Sequence, residues 1–352
     1  MDSNKIIGID GVWYSQAELM NRADFELSSD IASYRKSFWL FIKEWFNSSS
    51  TIEVKTSGST GVPKSIQLSK DKMVASAKRT VEFLDIKVGG NALICLSCDY
   101  IAGKMMVVRS LTNRMNIILV EPSSNPLNLI NEFIDFAALV PMQVLYYQNS
   151  PSLLNKIDMM IVGGAAVSEQ VASILDKSSV KAFETYGMTE TISHIALRRI
   201  NGDCKDRYFT PLKGVNIELN SEGALVISDD VTLDDVITTN DLAEITQDSH
   251  FTIKGRADNI INSGGVKISP EEVERIIAPL LPMEFAISWR EDARLGQKMV
   301  LVVESLVDTD FLVKINALLS KYQQINECVV LEHFPKTETN KLNRVVLQKL
   351  IQ

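Results

Sequence analysis

Between residues 92 and 187, short apolar runs return at intervals: ALICLS, MNIILVEP, KIDMMIVGG and VKAFETYG. Each closes on a Gly, Pro or Ser signal, and the stretches between them are long enough to hold helices. This alternation predicts a parallel sheet with crossover helices, because parallel neighbours need a connection of a dozen or more residues. Upstream, SKDKMVASAKRTVEFL carries an amphipathic helical pattern opened by Ser69 as N-cap. Residues 30–47 read as a further helix, with Ile31, Tyr34, Phe38, Phe41 and Trp45 recurring as a core-facing stripe.

From about 208 to 256 the rhythm changes to short strands, VNIELNSEGALVIS and HFTIKGR, separated by turn residues. DNIINSGGVKISP follows, and a helix is expected at 270–278, with Ser269 and Glu272 as a capping box and Pro270 at its first position. The main boundary is therefore placed at Asp258. A chain of 352 residues has room for two units. The expected fold is α/β: a large N-terminal domain at 1–257 with mixed and parallel sheets and crossover helices, and a small α+β domain at 258–352.

Composition removes several function classes. A net charge of −8 with no Lys/Arg cluster lacks the footprint of a nucleic-acid binder. The longest apolar stretches are too short to cross a bilayer, and the first residues show no basic region followed by an apolar one. Of four Cys, Cys95 and Cys98 form a C-x-x-C inside an apolar run, with no second Cys/His pair at metal spacing. They read as buried free thiols, which places the chain in a reducing, cytoplasmic setting. No Ser-His-Asp or Cys-His arrangement is legible among the three His.

Five stretches remain as carriers of chemistry. TSGSTGVPKS (56–65) fails the Walker A spacing, since Gly58 and Gly61 are too close and Val62-Pro63 separates Gly61 from Lys64. It still offers glycines for close backbone approach, hydroxyls on Ser57, Ser59 and Thr60, and one cation, so a phosphate loop and a plain hairpin turn stay level. ETYGMTET (184–191) follows a buried-type strand: Tyr186 supplies a flat face, Thr189 a hydroxyl and Glu190 a hard oxygen for Mg²⁺, although Thr-Glu after Gly also suits an ordinary helix start. Asp241 can accept two ribose hydroxyls or serve a turn. GRADNIINSGG contains Arg256, Asp258 and Gly264-Gly265, which suits a hinge followed by a tight turn. PKTETNKLNR (335–344) is a Lys-rich loop whose plain reading is solvated charge.

In this order, TSGSTGVPK, YGMTE, an Asp, GRADNIINSGG and PKTETNK resemble the acyl-adenylate-forming superfamily over about 50–352. YGMTETISHIALRRINGD and LSCDYIAGKMMVVRSL resemble its o-succinylbenzoate–CoA ligase branch, with a shortened N-terminal region. The resemblance implies ATP, Mg²⁺ and coenzyme A as reactants, a small carboxylic acid as partner, and no nucleic acid or membrane insertion. Association into a homo-oligomer stays open. It implies that Ser57, Ser59, Thr60 and Lys64 hold the departing phosphates and that Tyr186 and Gly163-Gly164-Ala165-Ala166 enclose the adenine. It further implies Thr189 on the α-phosphate, Glu190 on Mg²⁺, Asp241 and Arg256 on the ribose, and Lys341 as the catalytic cation. Asp258 would be the hinge of a mobile C-terminal domain, and the turn with Gly265 would border the pantetheine channel. Asn340 stands where the family has Gly. Lys104, Arg109 and His194 are candidates for a second substrate carboxylate, each with an equal reading as a surface cation. Another acyl or aryl acid, a carrier-protein adenylation enzyme and a non-catalytic homologue remain as alternatives.

Overall fold

A computed structural model describes the chain except for residues 1–3, 56–64, 129, 230, 282, 306–308 and 338–341. Its contacts divide it into two units. The first holds the described residues up to 55, 65–216 and 228–237, and the second holds 217–227 and those from 238 onward.

The first unit opens with β1 (Ile7–Ile9) and β2 (Val12–Tyr14), α1 (Gln16–Leu27) and α2 (Ser33–Trp45). A hairpin of β3 (Thr51–Lys55) and β4 (Ser65–Ser69) leads into α3 (Lys70–Leu84). Then come β5 (Asn91–Ile94), α4 (Ile101–Thr112), β6 (Asn116–Leu119), β7 (Ile134–Leu139), α5 (Pro141–Tyr146) and β8 (Ile157–Val162). The unit continues with α6 (Glu169–Leu175), β9 (Lys181–Met188), β10 (Ser193–Arg199) and β11 (Thr210–Pro211). Nine strands form one sheet in the order β11-β10-β9-β8-β7-β5-β6-β1-β2. The run from β9 to β1 is parallel, and antiparallel strands close both edges.

The alternating pattern thus builds a parallel sheet, with two adjustments. The sequence reading passed over β7, whose IDFAAL is rich in Ala and poor in β-branched residues, yet it takes a central place between β5 and β8. The connection from β6 to β7 contains no helix among its described residues. Phe136, Leu93, Met160 and Val162 are fully buried in the sheet, as strands covered on both faces must be. Ser69 caps α3 as expected, accepting from the Lys72 amide. The stripe on α2 is shifted: Phe38, Trp39, Phe41 and Ile42 are buried, whereas Tyr34 and Trp45 are half-buried and Ile31 precedes the helix.

The second unit contains a four-stranded sheet of β12 (Asn216–Leu219), β13 (Ala224–Ser228), β14 (Ile237–Ile245) and β15 (Phe251–Arg256). It continues with β16 (Ile261–Ser263), β17 (Val266–Ile268), α7 (Pro270–Ile277), β18 (Phe285–Asp292), β19 (Gly296–Val303), α8 (Thr309–Leu318), β20 (Cys328–Val330) and α9 (Arg344–Leu350). β16 to β20 form a five-stranded sheet in which β20 pairs with β19. Ser269 caps α7 by accepting from the Glu272 amide, with Pro270 next in line. Its own hydroxyl hydrogen points to the Lys254 carbonyl.

Candidate active site

The first unit supplies a strand-end platform. Beyond Val162 the chain turns at Gly163 and Gly164, the latter with φ +86°. β8 runs parallel to β9, so Gly163 lies beside Thr185, where an added Cβ would meet Thr185 Oγ1 at 2.2 Å. Only glycine fits there, and Gly164 needs the same residue for its left-handed backbone. Gly164, Ala165 and Ala166 are exposed. The loop is tied back where the Val167 amide donates to Glu184 Oε1 at 3.0 Å.

Tyr186 on β9 is half-buried, its ring 5.9 Å from that of Phe209. Arg198 stacks on the other partner, 4.9 Å from the Phe209 centroid, and donates from Nε to Glu184 Oε2 at 2.6 Å. Glu184, Arg198 and Phe209 therefore fix the Tyr186 platform. Sequence reasoning missed all three. The signal was present only as an acidic residue two before Tyr186 on the same face of a strand.

Thr189 and Glu190 do not start a helix. β9 runs on to Met188, and the two residues occupy the turn into β10, Glu190 exposed and Thr189 half-buried. The turn is tight and strained: Ile192 and Ser193 have φ +51° and +75°, a region that a β-branched residue rarely enters. Thr191 holds it by accepting from the Met188 amide at 2.9 Å and donating to the Ser193 carbonyl at 2.7 Å. Gly187 permits the close approach, since a Cβ there would meet the Ser193 carbonyl at 2.3 Å.

Lys104, Arg109 and His194 are not surface cations. Their exposures are 7%, 1% and 4%. Lys104 Nζ pairs with Glu44 at 2.9 Å and sits 4.7 Å from the Phe41 ring centroid, so it joins α4 to α2. Arg109 and His194 meet beneath the hairpin turn, 3.4 Å apart. Burial, then the neighbouring guanidinium, pushes the His194 imidazole far below its ordinary pKa. Burial lowers Arg109 to about 9. Cys95 and Cys98 are buried free thiols, pushed up to about 12 by desolvation.

The second unit carries the remaining candidates. Asp241 on β14 lies directly across from Arg256 on β15, with Nη1 to Oδ1 at 3.1 Å. Arg256 also grips Asp258, Nε to Oδ1 and Nη2 to Oδ2 both at 2.9 Å. That bond to Arg256 holds the Asp258 carboxyl below its usual range against partial burial. Gly264 and Gly265, with φ +58° and +84°, form the two-residue turn between β16 and β17, a geometry that favours glycine at both positions. Ser57, Ser59, Thr60, Lys64, Asn340 and Lys341 lie outside the described residues. Their flanks are paired: Lys55 opposite Ser65, and Lys336 opposite Leu342.

One exposed carboxylate at a fixed turn is a fitting Mg²⁺ contact, because that ion keeps several waters and takes few protein ligands beside phosphates. The side-chain-free strand end at Gly163-Gly164 next to an aromatic face suits a nucleotide base. Among the described residues no helix is long and apolar enough to cross a membrane.

Comparison with known proteins identifies the family and the fold. The model of the family described as "AMP-binding enzyme" matches residues 55–230, half of the chain. A 2-succinylbenzoate–CoA ligase of Lactococcus lactis is 24% identical, over 84% of this chain and 70% of that enzyme. An acyl-CoA synthetase (AMP-forming)/AMP-acid ligase II-like protein from Dyadobacter fermentans is 34% identical, with a TM-score of 0.61 over 90% of this chain and 95% of that one. The O-succinylbenzoate coenzyme A synthetase of Bacillus subtilis, solved with ATP and magnesium, shares the fold at a TM-score of 0.72 and 22% identity, over 83% and 68% of the two chains. The chain belongs to the AMP-binding enzyme family, as an AMP-forming acyl-CoA ligase.

Proposed function

We propose that the chain activates o-succinylbenzoate with ATP and transfers it to coenzyme A, a step of menaquinone biosynthesis. The acid's aliphatic carboxylate attacks the α-phosphate, forming the acyl-adenylate as pyrophosphate departs. The CoA thiol then attacks the acyl carbonyl, its proton is lost to solvent, and AMP leaves. The observation that carries this reading is the β9–β10 hairpin, whose β9 pairs with β8 up to Val162 and Glu184 and then carries Tyr186 toward the turn that holds Thr189 and Glu190. Mg²⁺ held by Glu190 would neutralise charge on the phosphates. Thr189 would donate to an α-phosphate oxygen, and Gly164, Ala165 and Tyr186 would enclose the adenine.

In the same reading Asp241 accepts from the ribose hydroxyls and Arg256 supports it. Ser57, Ser59, Thr60 and Lys64 hold the pyrophosphate. Lys341 bridges the two anions that must approach each other, where negative charge accumulates. The C-terminal domain from 258 onward rotates about Asp258 between the two half-reactions, bringing the Gly265 turn to the thiol channel. Relatives acting on 2-succinylbenzoate support the choice of acid. A different carboxylic acid is the second reading, because Lys104 pairs with Glu44 and Arg109 donates to Thr80 and Ser193.

The test is product analysis by mass spectrometry after incubation with o-succinylbenzoate, ATP, Mg²⁺ and CoA. Equal amounts of o-succinylbenzoyl-CoA, AMP and pyrophosphate are expected. Formation of ADP, or turnover only with another acid, would contradict the proposal.

A further inference from the structure

Arg109 is the largest charged side chain in the interior, and among the described residues no carboxylate pairs with it. Its partners are neutral: Thr80 Oγ1 at 3.3 Å from Nε, Ser193 Oγ at 3.0 Å and His194 Nδ1 at 3.4 Å from Nη2. A guanidinium can only donate, so His194 Nδ1 accepts and its proton sits on Nε2. Nε2 then donates to Thr80 Oγ1 at 2.9 Å, and the Thr80 hydroxyl donates onward to the Ser76 carbonyl at 3.2 Å. Ser76 itself donates to the Ile192 carbonyl at 2.9 Å.

Every one of these bonds ends on residues 192–194 or on α3 and α4, which hold them. The two backbone positions with left-handed φ, Ile192 and Ser193, are the ones gripped, from Ser76 and Arg109 respectively. A desolvated charge with only neutral partners lowers stability, and strained backbone persists only where its surroundings over-determine it. Both bear on Ile192 and Ser193, two to four residues after Thr189 and Glu190 in the same turn.

We infer that Arg109 is a positioning residue: through Ser193 and His194 it holds the β9–β10 turn so that Glu190 and Thr189 face the metal and the α-phosphate. This rests on the assignment of Thr189 and Glu190 in the proposed function. It gives Arg109 and His194 a role through the hairpin and leaves the second substrate carboxylate to other groups.

The test uses the full chain with Arg109→Met, Arg109→Lys and the milder Ser193→Ala. Amide hydrogen exchange without ligand reads the hairpin directly. Exchange of residues 188–194 is expected to quicken about tenfold or more in Arg109→Met, as follows from stranding buried acceptors, while β5 and β6 stay protected. Ser193→Ala should show a smaller change of the same kind, and Arg109→Lys should recover part of the protection. Binding of adenosine, which lacks the α-phosphate, should stay within about twofold, whereas the Mg²⁺-dependent gain in ATP affinity should fall by about tenfold. Unchanged hairpin exchange in folded Arg109→Met and Ser193→Ala would overturn the inference, as would equal weakening of adenosine and Mg²⁺–ATP. Normal exchange effects in a parent chain that binds no Mg²⁺–ATP would instead overturn the assignment of Glu190 and the link to it, leaving only the hairpin-holding role.

Discussion

The candidate residues of the two units are held by opposite means. In the first unit the β9–β10 turn is held by hydrogen bonds from the buried Ser76 and Arg109 and sits in a strained backbone conformation. In the second unit Asp241, Arg256 and Asp258 form a chain of charges in which the Arg256 and Asp258 side chains are 37% and 45% exposed. Buried bonds are expensive to leave unmade, whereas half-exposed ion pairs contribute ~0–1 kcal/mol and exchange partners at little cost. The contrast suits a fixed set of groups where metal and phosphate binding is proposed, and an exchangeable set where ribose and hinge are proposed.

The largest effect is expected in the fixed set. Glu190→Gln should lower pyrophosphate release by about 10²–10³-fold, with part of the loss recovered at raised Mg²⁺; the scale is that of losing one preorganised electrostatic contact. Next come changes that break the frame. Asp229, buried between Arg79 and Thr232, joins α3 to the segment after β13. Asp229→Asn should destabilise the chain by about 3 kcal/mol, because it strands a half-buried guanidinium and leaves a buried side chain without its charge partner. Gly163→Ala forces a Cβ onto Thr185 and should cost about 1–3 kcal/mol in thermal melting.

In the exchangeable set, Asp258→Asn should cost about 1 kcal/mol or less. A loss there equal to that of Asp229→Asn would erase the contrast. Acid titration sharpens it further. Burial alone would raise the Asp229 carboxyl, yet Arg79, Thr232 and the Val231 amide together hold it below the ordinary value. A carboxylate depressed in the native state adds stability above its unfolded pKa and loses it as pH falls through the native one. The parent should therefore lose stability below the usual carboxylate range, and Asp229→Asn should show a shallower decline there. The smallest effect concerns thiols: Cys204, exposed, should react readily in the native protein, and buried Cys95 and Cys98 only on unfolding.

Much of the first unit was legible because its pattern is local. Apolar runs closed by turn residues marked β5, β6, β8 and β9, and Ser69 marked the start of α3. β7 was illegible because its central position rests on neighbours in space, with little intrinsic strand preference in IDFAAL. Thr189-Glu190 carried a helix-start signal that the antiparallel pairing of β9 with β10 overrode. Lys104, Arg109 and His194 could be read as surface charges because sequence shows polarity and not depth; their partners lie up to 114 positions away in the chain. The pairing of Arg256 with Asp241 follows from register across β14 and β15, which no spacing rule in the sequence supplies.

The most direct measurement of the whole account is pyrophosphate release from ATP and Mg²⁺ across a panel of carboxylic acids, with and without CoA. The panel includes o-succinylbenzoate, simple benzoates and fatty acids. The account predicts strong turnover with o-succinylbenzoate and CoA, and abolition of it in Lys341→Ala. Turnover confined to a different acid would contradict the assigned substrate, and pyrophosphate release untouched in Lys341→Ala would contradict the mechanism.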